Sequence, residues 1–292
     1  MTQRWLITGA SGQLGGHVVR LLAGEAHPPT ILSVSQRTPP AEFGAGVAHC
    51  DLADDGATRA LVRDFRPTHL IHSGAMTAVG DCFASPERAR LINTVAAHAI
   101  AQECAALHAR MVFVSTDMVF GGDRAPYREG DPPAPLSVYG RTKADAETAI
   151  RDIAGVLVAR VPLMYGFACT SRSATFAAQI AAIRARTPLK LFTDEFRTPA
   201  WVVDAARALI GLARSNRTGI IHLAGPERLS RIDMARRFAE QLGIADPAFE
   251  PTSRLNVPGE PRPADLSLDA SRLTQEFPHL ICGPIRAEAF VH

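Results

Sequence analysis

Short runs of consecutive apolar residues alternate with stretches of helical apolar spacing through the first half of the chain. Arg4–Thr8, Thr30–Ser35, Val156–Val161 and residues 70–72 and 111–115 read as strands. Between them, residues 12–22, 54–65, 86–107 and 137–151 read as helices, the second of them stopped before Pro67. Strands that lack polar alternation and are separated by helices predict an α/β fold with a parallel sheet buried on both faces. After Pro162 the rhythm loosens. Residues 176–186, 202–213 and 231–242 look helical, Leu189–Phe192 and residues 220–223 look strand-like, and the proline-rich stretch 247–263 reads as loop.

Composition narrows the class. The chain has 292 residues and is 47% apolar, enough for a sizeable core. There are 31 Lys+Arg against 29 Asp+Glu, a net charge of +2, with no long run of one sign, so no nucleic-acid partner is expected. Cysteines 50, 82, 104, 169 and 282 form no CxxC pair, which argues against a disulfide framework and predicts a reducing, cytoplasmic setting. No apolar stretch is long enough to suggest a membrane partner, and a first strand starting by Arg4 leaves no room for a signal peptide. The histidines form no HExxH or other ligand pattern, so no metal site is expected.

Candidate chemistry begins at the N-terminus. Gly9, Gly12 and Gly15 are spaced GxxGxxG between the first strand and the first helix. Gly9 permits a tight turn, Gly12 lets the backbone approach a pyrophosphate, and Gly15 lets helix and strand pack closely. The start of the helix, with Ser11, Gln13 and Leu14, offers N–H groups to phosphates. A ligand-free glycine turn has the same spelling, but the strand–turn–helix setting selects dinucleotide binding. The second strand ends Ser33-Val34-Ser35-Gln36-Arg37 without the acid that would hold an NAD ribose. Ser35 and Arg37 suit a 2′-phosphate, so NADP(H) is expected over NAD(H); the alternative for Arg37 is an exposed loop cation. Asp51 and Leu52, after the third strand, would meet the adenine; the alternative for Asp51 is to cap the next helix, for which Asp54 is better placed.

Tyr139 and Lys143 form a YxxxK, which on a helix puts both on one face. A free phenol titrates near pKa ~10, and a nearby cation lowers that value, which would make a tuned acid for carbonyl and alcohol interconversion. The run Val112-Phe113-Val114-Ser115-Thr116-Asp117 ends a buried strand with hydroxyls at the carboxyl edge, where open α/β sheets bind ligands. Thr116 or Ser115 would hydrogen-bond the carbonyl; otherwise these hydroxyls cap the loop. Together these features predict a Rossmann doubly wound sheet over residues 1–162, to which 190–223 returns. Residues 163–189 and 224–292 would form a smaller C-terminal substrate lobe.

With these motifs the chain resembles the extended short-chain dehydrogenase/reductases. More narrowly it resembles the dTDP-4-dehydrorhamnose reductase-like group, which takes in nucleotide-sugar reductases and the regulatory β subunit of methionine adenosyltransferase. The resemblance runs along nearly the whole chain. It is carried by residues 8–15, Arg66-Pro67, Thr77-Ala78-Val79, Asn93, residues 115–120, Pro135-Leu136 and the Tyr139/Lys143 pair. Residues 160–166, Phe196-Arg197-Thr198-Pro199, Arg262-Pro263, Leu268-Asp269 and Leu273 extend it. The resemblance implies a 4-keto-6-deoxy nucleotide sugar as substrate and NADPH as hydride donor. Thr116, Tyr139 and Lys143 would be catalytic, with Lys143 also on the nicotinamide ribose. Ser73, Gly74, Ala75 and Val161 would line the cofactor, and Thr77, Asp117, Met118 and Arg197 would face the substrate.

The chain departs from the group in places. Met118 stands where Tyr is usual, Gly121 where Asp is frequent, and Gly16-His17 where some members carry a Glu of a metal site. Residues 160–166 look more like the regulatory branch. Two functions therefore compete: an NADPH-dependent reductase, and a regulatory NADP-binding subunit that governs a partner without turnover. A nucleotide-sugar epimerase is a third reading, whereas a dehydratase is disfavoured because residues 116–118 read Thr-Asp-Met. Pro199 restricts Thr198 and shapes the loop that carries Arg197. Arg197 would offer its fork to a diphosphate or sugar, or pair with Asp194 or Glu195. The Ala-rich face of residues 89–107 would serve a homodimer or internal packing.

Overall fold

The computed structural model describes residues 3–36, 46–169 and 174–290. The first six strands are Arg4–Thr8 (β1), Thr30–Ser35 (β2), Gly46–His49 (β3), His69–His72 (β4), Arg110–Thr116 (β5) and Val156–Val161 (β6). Then come Met164–Tyr165 (β7), Leu189–Phe192 (β8), Phe196–Arg197 (β9), Ala200–Trp201 (β10), Gly219–His222 (β11), Leu229–Ser230 (β12) and Phe249–Thr252 (β13). The helices are Gln13–Ala23 (α1), Asp55–Phe65 (α2), Val79–Ala84 (α3), Pro86–Arg90 (α4), Ala96–Ala106 (α5) and Val138–Ile150 (α6). They continue with Ala174–Ala185 (α7), Val202–Arg214 (α8), Arg231–Gln241 (α9) and Ser271–Glu276 (α10).

Seven strands form one sheet in the order β11-β6-β5-β4-β1-β2-β3, every neighbour parallel. Alternation along each strand sends side chains to opposite faces. Trp5, Ile7, Val112 and Val114 pack under α1 and α8 with Val18 and Leu209. Leu6, Met111 and Phe113 pack on the other side with Val62 of α2, Ile100 of α5 and Ile150 of α6. This is the Rossmann, doubly wound arrangement, and the strand order reverses between β1 and β4. Ligands bind at that switch point, outside the carboxyl ends of the strands.

The remaining strands pair outside the large sheet. β8 pairs parallel with β13, β9 antiparallel with β12, and β7 parallel with β10. Tyr165, Phe176, Phe238 and Phe290 pack edge-on and tilted in a separate aromatic core. Two expectations are corrected. The stretch 247–263 is not all loop. Phe249–Thr252 is a strand, and its Pro251 is tolerated because a two-stranded edge leaves one side of each strand without a ladder partner. The single helix expected over 86–107 is interrupted by a wide π turn at Leu91–Val95. The Ala-rich face is accounted for within the chain: Ala96, Ala97, Ala99 and Ala101 are buried against the sheet and neighbouring helices.

Candidate active site

A cleft of about 830 Å³ opens at the carboxyl ends of β1, β4, β5 and β6 and is closed on its far side by β9, α9 and residues 260–263. Every residue expected at the site lines it except Arg37, which lies outside the described residues.

The floor at one end is the glycine turn. Gly9 sits at φ +69, and a Cβ there would come within 2.7 Å of the Gly74 backbone nitrogen, so two backbone turns meet face to face. A Cβ on Gly15 would strike the Gly9 carbonyl oxygen, which is why α1 lies so close to the turn. The Thr8 hydroxyl accepts a hydrogen bond from Gly74 N (3.1 Å) and meets His72 Nδ1 (2.7 Å), locking β1 to β4. The N-cap of α1 is Gly12, which supplies no side-chain cap, and no acid lies in the first turn. The leading N–H groups of the helix and its positive dipole end are therefore left for an anion. At the other extreme of the same wall lie Ser35, Gln36 and Asp51. Asp51 is paired with Arg88 (2.9 Å), which holds its carboxyl below the usual range, and Asp54 caps α2 through Ala57 N (2.9 Å).

Strand β5 and helix α6 bring the catalytic candidates together. Ser137 caps α6 by accepting from Gly140 N (3.1 Å). This presents Tyr139, half-buried, in the first turn and Lys143 one turn further. The Thr116 hydroxyl donates to Asp117 Oδ1 (3.1 Å), accepts from Met118 N (3.2 Å) and lines the cleft together with Tyr139. The two strand-end hydroxyls divide the work: Thr116 faces the cleft beside Tyr139, while Ser115 donates to buried Glu147 (2.5 Å). Lys143 Nζ donates to the Val114 carbonyl (2.7 Å) and lies 3.9 Å from the centre of the Phe113 ring.

The electrostatics differ from the sequence expectation. Burial pulls the Lys143 ammonium down to about 7, with Glu147 opposing. Burial also pushes the Tyr139 phenol above its ordinary value; the nearby Thr116 hydroxyl works against this, and Asp117 and Cys82 reinforce it. The expected depression by Lys143 is absent because the ammonium is turned onto the Val114 carbonyl and an aromatic face, and is itself easily neutralised.

The far wall is a buried charge cluster that the sequence only partly disclosed. Arg197 Nε lies 3.3 Å from Asp117 Oδ2, and its NH2 lies 3.5 Å from Glu195. Glu195 also holds Arg262 (2.8 Å) and Arg231 (3.9 Å). Of the two partners considered for Arg197, Glu195 is one; Asp194 instead accepts from Ser253 Oγ and Arg254 N. Burial raises the Asp117 carboxyl despite Arg197, and Asp117 Oδ2 has no hydrogen-bond donor. Glu195, Arg231, Glu260 and Arg262 were missed, as was Arg88 at the opposite end. Only the Arg262-Pro263 pair carried a signal, as part of the resemblance.

The RmlD substrate binding domain family matches residues 3–282. The chain belongs to that family. A dTDP-4-keto-6-deoxy-D-glucose reductase of Streptomyces niveus is 31% identical over 96% of this chain and 98% of its own length. A methionine adenosyltransferase 2 subunit beta of Xenopus laevis is 32% identical, over 93% of this chain and 82% of its own. Among solved structures, a hypothetical dTDP-4-dehydrorhamnose reductase from Sulfolobus tokodaii superposes with a TM-score of 0.86 at 27% identity, covering 98% of this chain and 99% of the other. The similar proteins thus include both a reductase of a nucleotide sugar and a subunit of a different enzyme.

Proposed function

We propose that this chain is an NADP(H)-dependent reductase of a nucleotide-linked 4-keto-6-deoxy sugar. The observation that carries the reading is the convergence of Thr116, Tyr139 and Lys143 on the cleft that also contains the glycine turn. Residues of this cleft fit a dinucleotide. The uncapped start of α1 offers donors to a pyrophosphate, and Ser73, Gly74, Ala75 and Val161 line the middle of the wall. Ser35 and Arg37 replace the acid that would repel a 2′-phosphate. When bound, the nicotinamide supplies hydride.

The chain's own groups handle the oxygen and its proton. Tyr139 keeps its proton at neutral pH because burial disfavours the phenolate, so it is a loaded donor. The Thr116 hydroxyl, which lines the same cleft, polarises the same carbonyl oxygen. Lys143, fixed by the Val114 carbonyl, positions the nicotinamide ribose. Opposite, the planar forks of Arg197, Arg231 and Arg262, interleaved with Asp117, Glu195 and Glu260, suit the phosphates of an anionic substrate.

The second reading, a regulatory NADP-binding subunit, is supported by the Xenopus relative and by the residues at 160–166. An NADPH-oxidation assay over a panel of 4-keto-6-deoxy nucleotide sugars separates the two. Turnover with one member supports the reductase. Tight NADPH binding without oxidation of any member supports the regulatory subunit.

A further inference from the structure

Resting on the nucleotide-sugar reading, we propose that Glu260 is a specificity residue whose carboxylate accepts a hydrogen bond from a ring hydroxyl of the bound sugar. Glu260 arrives from the segment that follows β13. That segment is pinned to the wall of the cleft: Ser253 and Arg254 bind Asp194, and Arg262 binds Glu195. Glu260 Oε1 accepts from the backbone N–H of Val138 (2.7 Å), the residue before Tyr139, and lies 3.6 Å from Arg141 NH2. Its side chain is 7% exposed and lines the cleft, yet Oε2 has no donor.

A carboxylate oxygen withdrawn from bulk water without a donor is costly, and buried polar atoms of this kind are normally satisfied. An ionised carboxylate only accepts, so whatever completes this site must donate. A phosphate oxygen would be repelled. On a nucleotide sugar, the donors are hydroxyls and the N–H of the base. The anchor of Oε1 on Val138 fixes the group one residue from Tyr139, where the reacting carbon must lie, and this selects the sugar over the base. A site built to receive a hydroxyl rejects analogues that lack it far more strongly than an apolar pocket rejects an added group. Glu260 would therefore read the sugar, leaving the nucleotide to the rest of the cleft.

The test compares wild type and Glu260→Gln, both saturated with NADP, by calorimetric titration with dTDP-glucose, dTDP, UDP-glucose and UDP. Glutamine keeps an oxygen for Val138 N and replaces the free acceptor with a donor. The expected result is that wild type binds a sugar-bearing nucleotide more tightly than the bare diphosphate. Glu260→Gln should shrink that ratio by about tenfold, the loss of roughly one hydrogen bond to a charged group, with diphosphate affinity and melting temperature unchanged. An unchanged ratio overturns the assignment, as does a parallel loss of both affinities with a lower melting temperature, which would make Glu260 a brace for the start of α6. If wild type binds neither diphosphates nor their sugars, the nucleotide-sugar reading falls and this inference with it.

Discussion

Glu147 lies on α6 one turn beyond Lys143 and is the buried counter-ion of Arg160. It accepts from Ser115 Oγ (2.5 Å), from Arg160 Nε (3.0 Å) and from Arg160 NH2 (2.7 Å). Arg160 is 1% exposed. It is further held by the His222 ring nitrogen (3.3 Å), by the Glu129 carbonyl (3.4 Å) and by the Phe120 face. The pair thus ties α6 to β5, β6 and β11 directly behind the cleft. Glu147→Gln removes the charge and keeps the shape, so Arg160 is left as an uncompensated buried cation. Breaking one side of a buried pair costs about 3–5 kcal/mol. Glu147→Ala should cost about 1–3 kcal/mol more, because Ser115 also loses its acceptor. Urea denaturation at neutral pH measures both. The double variant Glu147→Leu/Arg160→Met removes both charges and should be less destabilised than Glu147→Leu alone. The reasoning would be refuted by a loss below about 1 kcal/mol in Glu147→Gln, or by a double variant that costs the sum of its singles.

Tyr139→Phe should reduce turnover by roughly 10²–10⁴-fold while leaving NADPH affinity nearly intact, since only the proton donor is deleted; full activity in this variant would remove Tyr139 from the mechanism. Lys143 titrates near 7 when folded against an ordinary 10.5, so the unfolded chain holds a proton that the folded chain gives up. The contribution of this residue to stability is therefore largest above 10.5 and is lost as pH falls toward about 7; Lys143→Met should flatten that dependence, and an unchanged slope in denaturation between pH 7 and 10 would contradict it. Arg197→Ala should raise KM for the nucleotide sugar without changing NADPH binding, and should lower stability more at pH 8 than at pH 5, because Asp117 loses the cation that offsets its burial. Equal losses at the two pH values would count against that pairing. Arg37→Ala should weaken NADPH by about 10–100-fold and NADH little, which fluorescence titration of both cofactors decides.

Much of the large sheet could be read from the chain because its signals are local. β5 and β6 are nearly unbroken apolar runs, buried along their length, and each helix between strands carries its own boundary mark, such as Asp54 before α2 or Ser137 before α6. The glycine turn and Tyr139/Lys143 follow fixed spacings within single elements. What stayed hidden depends on pairing between distant segments. β13, within the stretch read as loop, is four residues long and pairs with β8, already legible as strand-like, 60 positions away at Leu189 and Phe249. The π turn at Leu91–Val95 coincides with Asn93 reaching back to Met76 and across to Thr142, contacts no local pattern announces. The charge cluster is hidden in the same way. The local pattern does not show that Glu195, Arg231 and Arg262 meet until the fold stacks β9, α9 and the 260–263 segment on one wall.

That division bears on the choice between turnover and regulation. The glycine turn and the uncapped start of α1 would serve dinucleotide binding with or without turnover, so they do not discriminate. Lys143 does not discriminate either, since holding a ribose would justify its burial in both cases. The Thr116–Tyr139 pair is different. Burial makes the phenolate unfavourable and so preserves a transferable proton, and the Thr116 hydroxyl comes from the carboxyl end of β5 rather than from the cofactor wall. A subunit that only binds the dinucleotide gains nothing from this arrangement. Together with Glu260 Oε2, which has no donor along the same cleft, it leaves donors and acceptors arranged for a polar molecule beyond the cofactor.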